Sequence, residues 1–475
     1  MKSYPLYLNG EWLRTKAVHP VMNPATGRAF ASVSTVDRAR VRQAVAEAHA
    51  AFLSWRQLTG KARGEFLQKI AAQMERRRDE IARLITLENG KPLAQSHAEV
   101  AMSIDHLRWF AEEARRAYGR IVPNQVEGKR HLVIKSPMGV AGAISPWNFP
   151  MVLGVRKAAP ALAAGCTVML KPARQTPLSS IAFAECVHAA QLPAGVFQLV
   201  CGAASEIGQE LLENPLCRKI SFTGSTETGQ LLIRGAALGV KPLSLELGGQ
   251  APVLVFQDAE IDKAVAGAMI AKFRNTGQSC IAANRIYVQR PIYKKFLALF
   301  VAKTKALKVG DGLEAGVEIG PLIDKAALAK ASEHVEDAVQ KGARLLCGGQ
   351  PLTRRKGFFF EPTVLADVPD TGLCMREETF APIAPVTVFD TEEEAIRRAN
   401  ASNYGLSAYA FTNDLRRAFR LMERLEAGMI GINDGVPTTS QCPFGGVKQS
   451  GWGRELGIEG MEAFLETKHV SLGVG

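Results

Sequence analysis

The sequence predicts an α/β protein with two doubly wound parallel-sheet domains and a small β arm. Three observations predict it. Residues 138–245 alternate short apolar runs (VAGAIS, CTVMLKP, FQLVCG, KISFTG) with helical patterns, as parallel strands joined by crossover helices require. A second section of α/β character runs from about 247 to 446. Between the first helices and the first strand run, residues 119–137 alternate around an EGK turn and read as a hairpin.

The elements follow in order. Residues 38–117 hold helical patterns, among them VRQAVAEAHAAF and the longer run FLQKIAAQMERRRDEIARLITLENG, which stops at Gly90 with Lys91 and Pro92 behind it. Helices are expected around 152–164 and 178–190, each between two apolar runs. Ile261, Val265, Met269 and Phe273 recur every four positions as one apolar helix face, which Gly277 breaks. Alternation resumes over Arg285–Gln289, and the tail FLETKHVSLGVG reads as a last strand. The opening MKSYPLYLNGEW lacks a long apolar segment, and no run approaches the roughly 18 apolar residues of a membrane span.

A chain of 475 residues exceeds one ordinary core, so two or three domains are expected. Its eight cysteines show neither CxxC nor zinc spacing, which fits a reducing cytoplasm and predicts no metal site. The net charge of +12 raises the question of nucleic acid. Yet Lys and Arg are interspersed with acids, as in RRRDE and RRAFRLMERLE, with no basic arm and no common nucleic-acid motif. A solvated surface, or a field that attracts anionic ligands, accounts for the excess.

Chemistry concentrates around KFRNTGQSCIAANR. Cys280 falls in the turn between the packed helix and the strand, where a reactive group can be held still and remain reachable. Most free cysteines are small buried hydrophobes, and a nucleophilic one needs a dipole, a cation or a base beside it. Glu246, in SLELGGQAP, supplies a carboxylate in an apolar, glycine-bounded run. Such a setting raises its pKa and suits it to general-base work. A search for GxGxxG finds no match. Instead GSTETG, Gly224 to Gly229, follows KISFT; Gly224 permits a tight turn and Ser225 can cap a helix whose N-terminus accepts phosphate. Lys171 ends a strand run, where a ligand crevice would open. A Cys–His hydrolase is the competing chemistry, but none of His19, His49, His97, His106, His131, His188, His334 or His469 falls inside these motifs.

PWNFP, FTGSTETG, LELGG and KFRNTGQSC together resemble the aldehyde dehydrogenase superfamily, over essentially the whole chain. The resemblance implies a dinucleotide-binding domain from 1–118 and 138–246, a catalytic domain from 247–446, and an oligomerisation arm and C-terminal tail from 119–137 and 447–475. A cytoplasmic homodimer or homotetramer is the implied state. Cys280 is the implied nucleophile, and its backbone N–H and the Asn148 amide form the oxyanion hole. Glu246 activates the deacylating water, Glu455 in GWGRE serves a proton relay, and Lys448 is structural.

NADP or NAD is the implied cofactor, with no metal required. Trp147, Lys171, the Gly224–Ser225–Gly229 loop, Glu378 and Phe380 are its implied contacts, Lys171 on the adenosine ribose and Glu378 on the nicotinamide ribose. Arg174 stands where NAD-linked members commonly have glutamate. A guanidinium can neutralise a 2′-phosphate, so NADP is favoured. Members that pass the acyl group to coenzyme A commonly lack the glutamate matched by Glu246, which points to a free acid as product.

Arg156 and Arg274 match two arginines that the succinate-semialdehyde dehydrogenase branch uses on the substrate carboxylate, and Thr438 falls where that branch has serine. Two departures stand out. Ala282 replaces the branch's frequent second cysteine, removing that redox switch, and Gln250 replaces a common lysine. The expected reaction is oxidation of succinate semialdehyde to succinate. Glutarate semialdehyde or a small aliphatic aldehyde is the alternative substrate, and a non-catalytic protein on the same fold is the alternative of a different class.

Overall fold

The computed structural model describes residues 1–474. Five parallel strands form the centre of the first sheet: Leu243–Glu246, Cys217–Thr223, Val140–Ile144, Thr167–Lys171 and Phe197–Leu199, in that spatial order. Numbered by sequence, the order is 5-4-1-2-3. The winding therefore reverses between Val140–Ile144 and Cys217–Thr223, and a crevice opens at their carboxyl ends. Side chains alternate across this sheet. Ala141, Ala143, Val168 and Leu170 pack with the helices Gly60–Arg76, Leu93–Glu113, Val152–Ala164 and Leu178–Ala189. Val140, Ile144, Met169 and Ile220 pack on the other side with Arg38–Trp55, Ala204–Glu213 and Thr226–Ala237. Burial on both faces explains why these strands read as continuous apolar runs.

Antiparallel strands close both edges. Leu6–Leu8 and Glu11–Leu13 add beyond Phe197–Leu199, and Gly451–Trp452 pairs with Leu243–Glu246. The N-terminal strands lie in short, turn-rich sequence without a strong period. Lys2–Tyr4, Arg28–Ser34 and Val18–Asn23 form a separate three-stranded sheet. The second large sheet has seven strands, Arg344–Cys347, Thr363–Ala366, Ile383–Phe389, Ala283–Gln289, Ala251–Val255, Ser407–Phe411 and Met429–Ile432 in spatial order, parallel except for the first. It too is covered on both faces.

The hairpin of 119–137 appears as Arg120–Val122 and Lys129–Pro137, and Leu465–Gly473 pairs along the whole length of the second strand. The stretch 447–474 thus contributes Val447–Lys448, paired with Tyr404–Gly405, one short strand to the first sheet and one long strand to this arm.

Local chemistry sets the helix ends. Asp37 accepts from the Arg40 N–H and opens Arg38–Trp55, whose Val41, Ala44, Val45, Ala48 and Phe52 are buried. The run FLQKIAAQMERRRDEIARLITLENG, expected as one helical stretch, is two. Helical geometry breaks at Arg77 (φ −107°, ψ 16°), whose guanidinium is tied to Glu80 and Glu185, and Arg78–Asn89 then ends on left-handed Gly90. Among the described residues all eight cysteines are free, and no helix is long and apolar enough to cross a membrane.

Candidate active site

The residues Leu247–Gln250 carry the chain from the carboxyl end of Leu243–Glu246 to the amino end of Ala251–Val255. The carboxyl edge of the first sheet thereby meets the amino edge of the second, where Cys280 precedes Ala283–Gln289. Gly249 permits the close approach, since a Cβ there would stand 2.2 Å from the Cys280 carbonyl oxygen.

The turn before Cys280 is strained. Asn275 and Thr276 both adopt left-handed backbone (φ 52° and 58°), followed by Gly277 at φ 73°. For a β-branched threonine this conformation is rare and unfavourable. A side chain at Gly277 would strike the Ala381 carbonyl at 2.3 Å. Hydrogen bonds hold the turn in place. The Asn275 amide donates to the backbone oxygens of Asn148 (2.8 Å) and Gln278 (2.9 Å), Thr276 exchanges bonds with the backbone of Gly320, and the Ile323 N–H donates to Gln278 Oε1 at 2.9 Å. Strain compensated this way fixes the position of the residues that follow.

Asn148 lies in the loop after Val140–Ile144, at the crevice of the first sheet. Its backbone oxygen also accepts from Lys91 Nζ at 2.7 Å, and its Nδ2 donates to Gln278 O at 3.3 Å. Lys91 is fully buried with Glu99 (2.6 Å), whose other oxygen accepts from the N–H groups of Met151 and Val152. An ion pair so fully bonded makes a rigid platform beneath Asn148.

Glu246 ends the last central strand and is buried. Burial pushes its pKa up, as does the nearby Glu455, while Arg156 and Lys157 pull it down. Burial also pushes the Cys280 thiol well up, and the Glu246 carboxylate adds to the effect. The Thr223 hydroxyl donates to Glu246 Oε2 at 3.0 Å and lies 2.6 Å from Lys157 Nζ, which is bonded in turn to Glu455 Oε1. Glu246, Thr223, Lys157 and Glu455 therefore form a continuous buried polar chain. Glu246 Oε1 has no protein partner among the described residues. Thr223 and Lys157 were not anticipated. A lysine inside the apolar VRKAAP helix was the available signal for the second, because a buried lysine needs partners.

Arg156, on Val152–Ala164, is buried against the Phe444 ring (4.3 Å) and lies 3.8 Å from Glu455. Arg274 caps the helix Ile261–Phe273 and lies 5.4 Å from the Phe149 ring centroid. Burial lowers the Arg274 pKa, with Tyr409 and Cys280 opposing, and Arg156 lies close enough to lower it further. Arg156 is buried, Arg274 and Cys280 are partly buried, and the two guanidinium groups and the thiol lie close enough to act on one another electrostatically. Among the described residues Arg156 Nε and the Thr438 hydroxyl are buried without hydrogen-bond partners. Buried donors left unpaired mark a place where a polar ligand fits.

The remaining positions lie along the crevice. Ser225 caps Thr226–Ala237 by accepting from the Thr228 N–H, with Gly224 before it and Gly229 in the first turns. Glu378 accepts from the Gly249 N–H at 2.9 Å, and burial pushes it up to about 7. Trp147 and Phe380 meet edge to face at 5.5 Å. Lys171 and Arg174 line a cleft of about 560 Å³ beside the first sheet, together with His19, which sequence motifs gave no reason to single out. Among the described residues Lys171 Nζ is bonded to the Pro172 carbonyl alone, at 3.1 Å. The donors and the capped helix N-terminus fit a phosphorylated dinucleotide. Lys448 bonds the carbonyls of Asn400 and Ser402 on the surface.

The histidines are engaged elsewhere. His106 contacts Ser440, His334 contacts Thr379, His19 contacts Arg174, and His131 contacts His469. His49 stacks on Phe52, His188 meets Tyr7 edge to face, and His97 faces Asp79. None contacts the thiol among the described residues.

Comparison with known proteins matches residues 12–470 to the model described as the aldehyde dehydrogenase family. The chain is 49% identical over 470 residues to glutarate-semialdehyde dehydrogenase of Pseudomonas putida, covering 98% of this chain and 97% of that one. It is 48% identical over 469 residues to the NADP(+) succinate-semialdehyde dehydrogenase GabD of Escherichia coli, with the same coverage. A crystal structure of an E. coli NADP-dependent enzyme superposes with a TM-score of 0.98 at 47% identity, covering 99% of this chain and 98% of that one.

Proposed function

The chain belongs to the aldehyde dehydrogenase family, and on that premise we propose that it oxidises a carboxylate-bearing aldehyde, succinate semialdehyde first among them, to the free acid. It is an NAD(P)-dependent enzyme of that family. The observation that carries the substrate reading is the pair Arg156 and Arg274 beside Cys280, with Arg156 Nε and the Thr438 hydroxyl unpartnered. Two guanidinium groups and a hydroxyl match the donors a carboxylate takes up.

In the proposed reaction Cys280 Sγ bonds to the aldehyde carbon as its proton passes to Glu246. The raised thiol pKa makes that transfer necessary at neutral pH. Asn148 Nδ2 and the Cys280 backbone N–H donate to the resulting oxyanion. Bound NADP or NAD supplies the acceptor for the hydride that leaves the same carbon. Once that first proton has left, Glu246 takes one from water, whose oxygen bonds to the thioester carbon as the C–S bond breaks, and the acid is released while the Cys280 thiolate regains a proton from Glu246. The Thr223–Lys157–Glu455 chain offers the proton a path away from Glu246. Hydrolysis rather than transfer to coenzyme A follows from a base at this position. Lys171, Glu378 and the Ser225 helix end are the proposed holders of the cofactor, with Arg174 selecting NADP.

Glutarate semialdehyde is the second reading, supported by the 49% identical relative of that name. The test is initial rates of acid formation from succinate semialdehyde, glutarate semialdehyde and butanal, each with NADP and NAD. The reading requires a strong preference for a charged substrate; equal rates on butanal contradict it.

A further inference from the structure

Arg174 follows the strand Thr167–Lys171, and its Nε lies 2.9 Å from His19 Nδ1 and 3.1 Å from His19 Nε2. His19 comes from the strand Val18–Asn23, in the small N-terminal sheet, 155 residues away in the chain. Both residues line the same cleft as Lys171. Among the described residues His19 is the one side-chain partner of this guanidinium, and the contact uses Nε alone.

We propose that His19 is a positioning residue for cofactor choice, holding the Arg174 guanidinium so that its two terminal amino groups face the 2′-phosphate of NADP. The proposal rests on the reading of Arg174 as the 2′-phosphate contact. Arginine carries five N–H donors in a planar fork. Engaging Nε leaves the two terminal groups free for paired bonds to one phosphate. An exposed arginine otherwise loses rotamer freedom when it binds, and a partner that restricts it beforehand reduces that loss. Arg174 Nε–H can only donate and a neutral imidazole accepts through one ring nitrogen, so the contact is made by a neutral His19, since a protonated ring would offer no acceptor. Partial burial and the adjacent guanidinium both lower its pKa and keep it so. Asp37 and Glu206 line the same cleft. Among the described residues neither is bonded to Arg174, so the histidine and not a carboxylate fixes the arginine, and no ion pair occupies its terminal amino groups.

Calorimetric binding of 2′,5′-ADP and 5′-AMP isolates the 2′-phosphate, in the wild-type chain and in His19→Ala, His19→Gln and Arg174→Ala. The wild type should prefer 2′,5′-ADP, and Arg174→Ala should abolish the preference. His19→Ala should weaken 2′,5′-ADP by about five- to ten-fold with 5′-AMP unchanged, and His19→Gln, which keeps an acceptor, should recover part of it. A wild type without preference, or a preference intact in Arg174→Ala, overturns the underlying reading and the proposal together. A preference lost in Arg174→Ala but intact in His19→Ala overturns the role of His19 alone. Equal weakening of both ligands in His19→Ala, or no recovery in His19→Gln, also overturns it, because His19 would then only support the strand.

Discussion

Asn275 Nδ2 lies 2.8 Å from the backbone oxygen of Asn148, tying the strained turn before Cys280, the proposed nucleophile, to the loop that carries Asn148, the proposed oxyanion donor. The two loops belong to different sheets. One amide thus couples the position of Cys280 to that of Asn148, and asparagine tolerates the left-handed backbone that the turn demands.

Replacing Asn275 by alanine removes the link and places a poorer residue in that conformation. The expected loss of stability is about 1–3 kcal/mol, read as a shift in the denaturant midpoint. The turnover rate should fall while KM for the aldehyde changes little, since the substrate contacts remain. An unchanged turnover rate would refute the coupling.

The polar chain behind Glu246 predicts pH shifts of opposite sign. Lys157 lowers the Glu246 pKa and Glu455 raises it. Lys157→Met should therefore move the acid limb of the turnover profile to higher pH, because Glu246, as the proposed base, must be deprotonated to accept from water. Glu455→Gln should move it to lower pH. Lys157→Met also leaves Glu455 without its close partner and should cost about 3–5 kcal/mol of stability. Shifts of the same sign in both variants would contradict the assignment.

Glu246 disfavours the thiolate of the free enzyme, acting beside the larger effect of burial. Glu246→Gln should therefore react faster with iodoacetamide at neutral pH than the wild type, even as its steady-state turnover collapses. The wild-type alkylation rate should climb with pH well past the range of an ordinary thiol. Slower alkylation in Glu246→Gln would mean that the carboxylate activates the thiol at rest.

Much of this was legible in the sequence, for physical reasons. The buried strands announced themselves as apolar runs, the helix Ile261–Phe273 by its four-residue period, and Ser225 by its place before a helix. The four motifs located Cys280, Glu246 and Asn148, and the structure brings the loops that carry them to one junction. What stayed hidden depends on contacts distant in the chain. Lys91 with the Asn148 carbonyl, Lys157 with Thr223, and His19 with Arg174 gain their meaning only when separate elements pack together. The N-terminal strands and the break at Arg77 were missed because their local patterns are weak or, for Arg77, helical on both sides.

The central claim is that a carboxylate-bearing aldehyde is held by Arg156 and Arg274 beside Cys280. Its most direct test is kcat/KM for succinate semialdehyde and for butanal, in wild type and Arg274→Ala. A charge-assisted bond contributes about 1.5–3 kcal/mol, so the variant should lose about ten- to a hundred-fold on succinate semialdehyde. It should stay within about three-fold on butanal, which has no carboxylate to lose. Equal losses on both aldehydes, or none on either, would contradict the clamp and with it the proposed substrate class.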